Sequence, residues 1–501
     1  MKKKKQIKHL LFSLITLLSI FLSSCAPSII SYVPYDSFLE DIDTYEEEIH
    51  DGYLKPASYH PYTFKNKNNE DEVFNTFQDV FRHQKFYQNI SSLKTNKLLV
   101  IPIDFDDYPS SNLEEGTEGS LEVIKNAFFG QNENNAWRSV AGYYNESSYG
   151  KFILDGKVTN WFRSSYLASD IVNNSAKANV VRNIYNEALA WYEDNYDDLS
   201  SFYVDGVRSN GIPVYLIYSH PSASGEGARN KMFWAFTINQ NNTLACWSSY
   251  HLTYLKYGKP DTHTYIHEVG HLFGLVDYYN TDGLAYGPTG RVDMMDYSVG
   301  DHTGYSKMLL NWTRPYYVLG DATITIRPFY VSGDLILIKN EWNYTAMDEY
   351  LLIEFYSPNG LNAYDSRVFN NESYLMSKAG IKVYHVDARL AFLTNNNLAQ
   401  TIGYVSDGLY NKEEVRLGII HSNTSSTTYQ NNRLYHLLEK SGENSFLNGH
   451  FATNETLFYK GDSFGLETFE NYKLNDNTLL GYTFNIDELT NTYATISFKK
   501  L

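Results

Sequence analysis

Thirteen residues dictate more about this chain than the rest of it: His267-Glu268-Val269-Gly270-His271-Leu272-Phe273-Gly274-Leu275-Val276-Asp277-Tyr278-Tyr279. Two histidines four apart share one face of a helix, one turn apart. At that spacing both imidazoles can grip a single zinc ion. Ile266, Val269 and Phe273 mark an adjacent stripe that faces a core, so the helix is anchored while the histidines line a cleft. Pro260 sets the helix to begin near Asp261 or Thr262. Gly274 stands where a helix commonly ends with a residue of positive φ, and that reversal can bring Asp277 back towards the ion. A carboxylate as third ligand leaves the fourth position to water, as a catalytic zinc needs. Glu268 is then placed as a base beside that water rather than as a ligand. His263 lies on the same face but two turns from His271, roughly 11–12 Å along the axis, so it is read as structural.

The rest of the chain bounds this chemistry. At 501 residues it is too long for one compact core, so two structured parts are expected. A formal net charge of -17, with no long basic run after the extreme N-terminus, makes it a poor nucleic-acid binder. Lys2 to Lys5 and Lys8 precede an apolar stretch, Leu10 to Leu22, that is short for a membrane span and ends in Leu22-Ser23-Ser24-Cys25. Small residues before a cysteine resemble a bacterial lipoprotein signal, which implies cleavage before Cys25 and lipid on its sulfur. An ordinary signal peptide is the alternative. The expected location is the outer face of a bacterial membrane, through the N-terminal lipid anchor, or secretion. Lipidation would leave Cys246 as the only free thiol and exclude an intrachain disulfide. Cys246 is read as a small buried apolar residue.

Residues 1–24 are thus a signal peptide, and 25–95 a polar tether or pro-like segment with one helix near Val73 to Phe86. Leu98 to Phe105 reads as the first core strand, with Pro102 most at ease at an edge or bulge. Helices are expected over Leu121 to Phe129, Ala136 to Glu146 and Ala176 to Asn195, and strands over Lys151 to Thr159 and Pro213 to Tyr218. Ser224-Gly225-Glu226-Gly227 lacks the Lys-Ser or Lys-Thr of a phosphate loop. After Pro315 short alternating runs take over (Thr323 to Arg327, Leu335 to Lys339, Tyr350 to Phe355, Ile381 to Val386), which predicts a β-rich part over 316–501.

The spacing His-Glu-x-x-His-x-x-Gly-x-x-Asp resembles the metzincin clan in its aspartate variant. Arg291-Val292-Asp293-Met294-Met295-Asp296-Tyr297 is similar to the Met-turn of that clan, with Met295 as its methionine and Val292 where a tryptophan would stand. Tyr297, two residues on, falls where some metzincins carry a tyrosine that helps hold the oxyanion. More specifically, Ser139 to Lys151, Gly300 to Lys307 with Trp312, Glu349 to Glu354 and Gly380 to Asp387 resemble the immune inhibitor A-like secreted metallopeptidases, over about residues 97–465. The resemblance implies an α+β fold. A metzincin-like zinc peptidase domain (mixed twisted sheet, long helices, active-site helix, Met-turn) over 96–315 is followed by the β-rich domain. It implies one catalytic zinc held by His267, His271 and Asp277, with Glu268 and Tyr297 catalytic, and protein or peptide substrates. Calcium is common in such enzymes; Asp104, Asp106 and Asp107 offer oxygens without fixing a site. His385 and Asp387 are read as structural, with a second metal role as the alternative.

The leading expectation is therefore a zinc-dependent endopeptidase acting on extracellular proteins. A cell-surface binding protein or adhesin with a vestigial site is the alternative, against which the retained Glu268 counts; a hydrolase of non-peptide bonds is a third. Oligomeric state and cleavage preference are left open.

Overall fold

The computed structural model describes residues 46–83, 89–225, 227–253, 259–367, 374–394, 401–405 and 409–501, with 401–404 described by backbone alone. Residues 1–24 and Cys25 lie outside the described residues, as does Phe86 at the end of the helix expected near Val73. Residues 45–501 form one compact unit. Among the described residues no helix is long and apolar enough to cross a membrane.

A mostly parallel sheet carries the first half. Its order is Phe152–Val158, Lys94–Asp104, Pro213–Tyr218, Thr243–Ser249 and Phe236–Gln240, with Phe162–Arg163 alongside the end of Lys94–Asp104. Only Phe236–Gln240, at the edge, runs antiparallel to its neighbour. Side chains alternate across the long strand. Leu99, Ile101 and Ile103 face the helix Lys177–Asn195, which contributes Val180, Val181, Ile184 and Ala188. Leu98 and Val100 face the opposite layer, where Gly116–Phe129, Val140–Ser147 and the metal-site helix His263–Leu272 pack. Pro102 keeps its place in this central strand because it falls in a gap: Phe152–Val158 stops pairing at Val100 and Phe162–Arg163 begins at Ile103. The missing N–H therefore breaks no ladder, and the expected edge exists locally.

The second half is β-rich. A seven-stranded sheet runs Glu48–His50, Tyr53–Lys55, Pro315–Val318, Leu335–Ile338, Glu349–Tyr356, Gly380–Asp387, Tyr435–Leu438. One face packs Ile336, Ile338, Leu351 and Ile353 onto Ile324, Ile326, Phe484 and Ile496 of a four-stranded sheet, forming a sandwich. The other face gives Leu335, Leu337, Tyr350 and Leu352 to the same core as Ile266 and Val269 of the metal-site helix. No break in the core follows residue 315.

The N-terminal segment departs from a simple tether. Tyr53–Lys55 pairs with Pro315–Val318, and Ile90 N–H donates to Leu272 O at the end of the metal-site helix (2.9 Å). Backbone pairing, with Tyr62 and Phe64 buried, holds what its polar composition suggested would be solvated. The helix expected near Val73 to Phe86 is the short turn Phe77–Arg82, started by a capping box in which Thr76 and Asp79 exchange hydrogen bonds.

Candidate metal centre and cleft

The metal-site helix ends as its sequence demands. Gly274 has φ +92; its N–H donates to His271 O (2.9 Å), and Leu275 N–H to Gly270 O (3.3 Å). These two bonds form a Schellman cap. The chain then turns back, and Asp277 Oδ1 lies 3.1 Å from His267 Nε2 and 3.2 Å from His271 Nε2. Each ring is fixed from behind. His267 Nδ1 lies 2.8 Å from Met294 O and His271 Nδ1 2.8 Å from Leu275 O. Carbonyls only accept, so both Nδ1 atoms carry a proton and both Nε2 atoms face Asp277, where a metal would be held. Among the described residues, these three are the one group of three or more histidine, cysteine or acidic side chains whose donor atoms converge, all within 4.8 Å. Two imidazoles and one carboxylate fit a catalytic zinc.

Met295 supports this from below. It is fully buried, and a Cβ on Gly270 would stand 2.5 Å from its sulfur, so the helix packs closely on Met295 there. Met295 O accepts from Tyr278 N–H (2.8 Å), tying the turn to the loop that carries Asp277. Asp293 organises the turn, accepting from Met295 N–H (2.6 Å) and Thr303 Oγ1 (2.6 Å). Burial pushes the Asp293 carboxyl up to about 6.

Electrostatics bind the three donors to one another. Burial alone would raise the Asp277 carboxyl, but the two histidines outweigh it and hold the group far below the usual carboxylate range. Burial would lower His271, yet the Asp277 carboxylate outweighs that and lifts it to about 9. Glu268 is buried, which raises its carboxyl; His271, His267 and Thr237 offset part of that. It is not among the converging donors. Instead Thr237, on the antiparallel edge strand, donates to Glu268 Oε2 (2.8 Å).

A cleft of about 1180 Å³ opens over these residues. His267, Glu268, His271, Asp277 and Tyr297 all line it. Its far wall comes from the β-rich half, through Leu393, Arg416 to Ile419 and His421. Tyr297 is 44% exposed, and its ring meets Tyr374 and Phe451. Tyr279, which the sequence did not single out for a role, also lines the cleft, and its ring stacks on His267 with centroids 6.5 Å apart.

Other expected positions find partners within the protein. His263 is structural: it sits between Asp261 and Asp365 (3.2 Å to the latter) and stacks on Trp137 at 4.2 Å. Cys246 is buried behind Glu268. Asp104 and Asp106 pair with Arg163, and Asp107 accepts from the N–H groups of Ala168 and Ser169, so these acids are tied to protein donors where calcium was considered. His385 bonds Glu349 (2.9 Å), and Arg389 makes two hydrogen bonds to Asp387 (2.7 and 2.6 Å) and an ion pair with Glu349 (3.2 Å). The Arg389 guanidinium thus faces both carboxylates of that cluster.

Comparison with known families adds the decisive observation: residues 84–207 match the catalytic domain of the immune inhibitor A peptidase family, M6. The chain is a metallopeptidase that resembles this family over those residues. The resemblance supports a zinc-type metal and peptide substrates. The matched stretch spans the parallel sheet's first strands and stops before the metal-site helix, so the donor set rests on its own geometry. No curated protein matches the chain. Solved structures of OgpA from Akkermansia muciniphila are similar at 11% identity. The wild-type enzyme is covered over 81% of its chain, against 63% of this one, at a TM-score of 0.22. A catalytically inactive form in complex with an O-glycopeptide substrate is covered over 90%, against 60%, also at 0.22.

Proposed function

We propose that this metallopeptidase is a zinc-dependent endopeptidase of metzincin type, with residues 96–315 supplying the catalytic machinery. The observation that carries the reading is the convergence of His267, His271 and Asp277 beside a buried carboxylate, Glu268, that is not one of them. When bound there, zinc supplies Lewis acidity to a water and to the scissile carbonyl. The protein's own part is the rest. Glu268, held by Thr237, takes the proton of the attacking water and returns it to the leaving nitrogen. Tyr297, at the cleft wall, donates its hydroxyl to the oxyanion. The edge strand Phe236–Gln240 offers backbone groups to an extended peptide lying along the cleft. The Lys2 to Cys25 segment supports export and a lipid anchor on Cys25 at the outer membrane face.

Glu268→Gln is the test. It keeps the size of the side chain and removes the base, so hydrolysis of a quenched peptide should fall by about a thousandfold or more while zinc content is unchanged. Undiminished hydrolysis would refute the mechanism.

A further inference from the structure

Three large aromatic side chains stand exposed together at the rim of the cleft. Tyr297, Tyr374 and Phe451 are 44, 37 and 36% exposed. The Tyr297 ring meets Phe451 edge-on at 5.4 Å and leans on Tyr374 at 6.1 Å. The Arg291 guanidinium lies 4.5 Å over Phe451 and 5.8 Å over Tyr297. Contiguous exposed aromatic surface is costly to hydrate and marks a place where something binds.

This surface is also built to stay in place. Tyr297 rides on a loop with left-handed backbone at Arg291 (φ +61) and Ser298 (φ +56), conformations a non-glycine residue adopts only when its surroundings impose them. The segment that carries Phe451 is tied to the start of that loop: Ala452 N–H donates to Gly290 O (2.9 Å), and a Cβ on Gly290 would press on Ala452 and Phe446. The Tyr374 segment is tied to its end. Tyr374 N–H donates to Asp365 O (3.1 Å), and Asp365 Oδ2 accepts from Gly300 N–H (2.8 Å). Two segments of the β-rich half are thus fastened to the turn that also places Met295 under the metal site. The surface is continuous with the catalytic cleft, because Tyr297 lines that cleft with His267 and Glu268.

We propose that Tyr297, Tyr374 and Phe451, capped by Arg291, form the subsite that receives an aromatic or bulky aliphatic side chain of the substrate near the scissile bond. The occupant follows from the chemistry. The rings offer apolar faces, the cleft delivers an extended chain, and the guanidinium repels a lysine or arginine side chain. The β-rich half therefore selects the substrate. This assignment rests on the endopeptidase reading.

The zinc-loaded soluble chain, with quenched peptides of one scaffold carrying Phe, Leu, Ala or Lys at each position in turn, provides the test. At one position Phe and Leu should give kcat/KM about tenfold above Ala, with Lys below Ala. Phe451→Ala and Tyr374→Ala should each shrink that preference to about twofold, mainly through KM, and leave the Ala peptide unaffected. In a Glu268→Gln background the same variants should weaken binding of the Phe peptide about tenfold in fluorescence anisotropy. Melting curves and zinc content show whether each variant folds. Should Phe451→Ala not fold, Tyr374→Ala and Arg291→Glu decide, the latter being expected to admit Lys. Peptide cleavage with a preference that Tyr374→Ala and Arg291→Glu both leave intact would overturn the subsite alone. No cleavage of any peptide by the wild-type chain would overturn the endopeptidase reading and the subsite with it.

Discussion

Thr237 is the residue on which the proposed base depends. Its hydroxyl stands 2.8 Å from Glu268 Oε2 on a strand that is otherwise an edge of the sheet. A hydrogen bond to a charged group in a buried setting is worth roughly 1.5–3 kcal/mol. Thr237→Val keeps the shape and removes the donor, so kcat should fall by about ten- to a hundredfold with zinc content unchanged. Thr237→Ser should restore most of it. Steady-state kinetics of both variants check this; a Val variant with wild-type kcat would remove Thr237 from the mechanism. The sequence could not have shown the contact, because 31 residues separate Thr237 from Glu268 and no local pattern links them. The convergence of His267, His271 and Asp277 was legible, because all three lie on a single helix and the loop after its cap, and spacing along one helix is geometry.

At the scale of elements, the metal-site helix is held at both ends by devices that can be tested separately. At its C-terminus, Gly274 at φ +92 turns the chain so that Asp277 comes back. An alanine there meets the left-handed penalty of about 1–2 kcal/mol, and its Cβ would stand 3.0 Å from Asn89 Oδ1. Gly274→Ala should lower the melting temperature by several degrees and weaken zinc binding in a competition assay; unchanged values in both would contradict the role of the cap. At the N-terminus, His263 lies between two carboxylates. Burial would lower it, but Asp261 and Asp365 outweigh that and lift it to about 10, from an ordinary value of 6.5. A raised histidine contributes stability that is complete below about 6.5 and is lost as pH rises through about 10. The wild type should therefore be more stable than Asp365→Asn near neutrality, and the gap should close between pH 7 and 10.5. Melting temperatures of the two proteins across that range measure it, and a gap independent of pH would show that His263 carries no charge. The regular elements were read well where pattern was strong: Pro213–Tyr218 was placed to the residue, and the long helix within one residue of its start. The N-terminal strands were not, because Glu48–His50 and Tyr53–Lys55 are short, polar and held by backbone pairing to strands far along the chain.

Across the whole molecule, the β-rich half is structurally continuous with the metal site. One apolar cluster runs from Val100 through Ile266 and Val269 to Leu335, Leu352 and Tyr384. A buried lysine, Lys307, pairs with Asp301 (2.6 Å), which also accepts from Ser147 (2.6 Å), and Gly304 N–H donates to Glu354 of the seven-stranded sheet (3.0 Å). Composition marked where β structure begins but could not reveal that the two halves share a core, since alternation along a strand does not say what the strand packs against. That continuity lets the tail form one wall of the cleft and places Tyr374 and Phe451 beside Tyr297, two residues after Met295. All of it matters for catalysis only if His267, His271 and Asp277 hold a metal. The most direct measurement is metal analysis of the purified soluble chain, with peptidase activity before chelation, after it, and after adding zinc back. One zinc per chain is expected, with activity lost on chelation and restored by zinc, and with both absent from His271→Ala. A chain that hydrolyses peptides equally well without metal, or that keeps its zinc when His271 is replaced, would contradict the account.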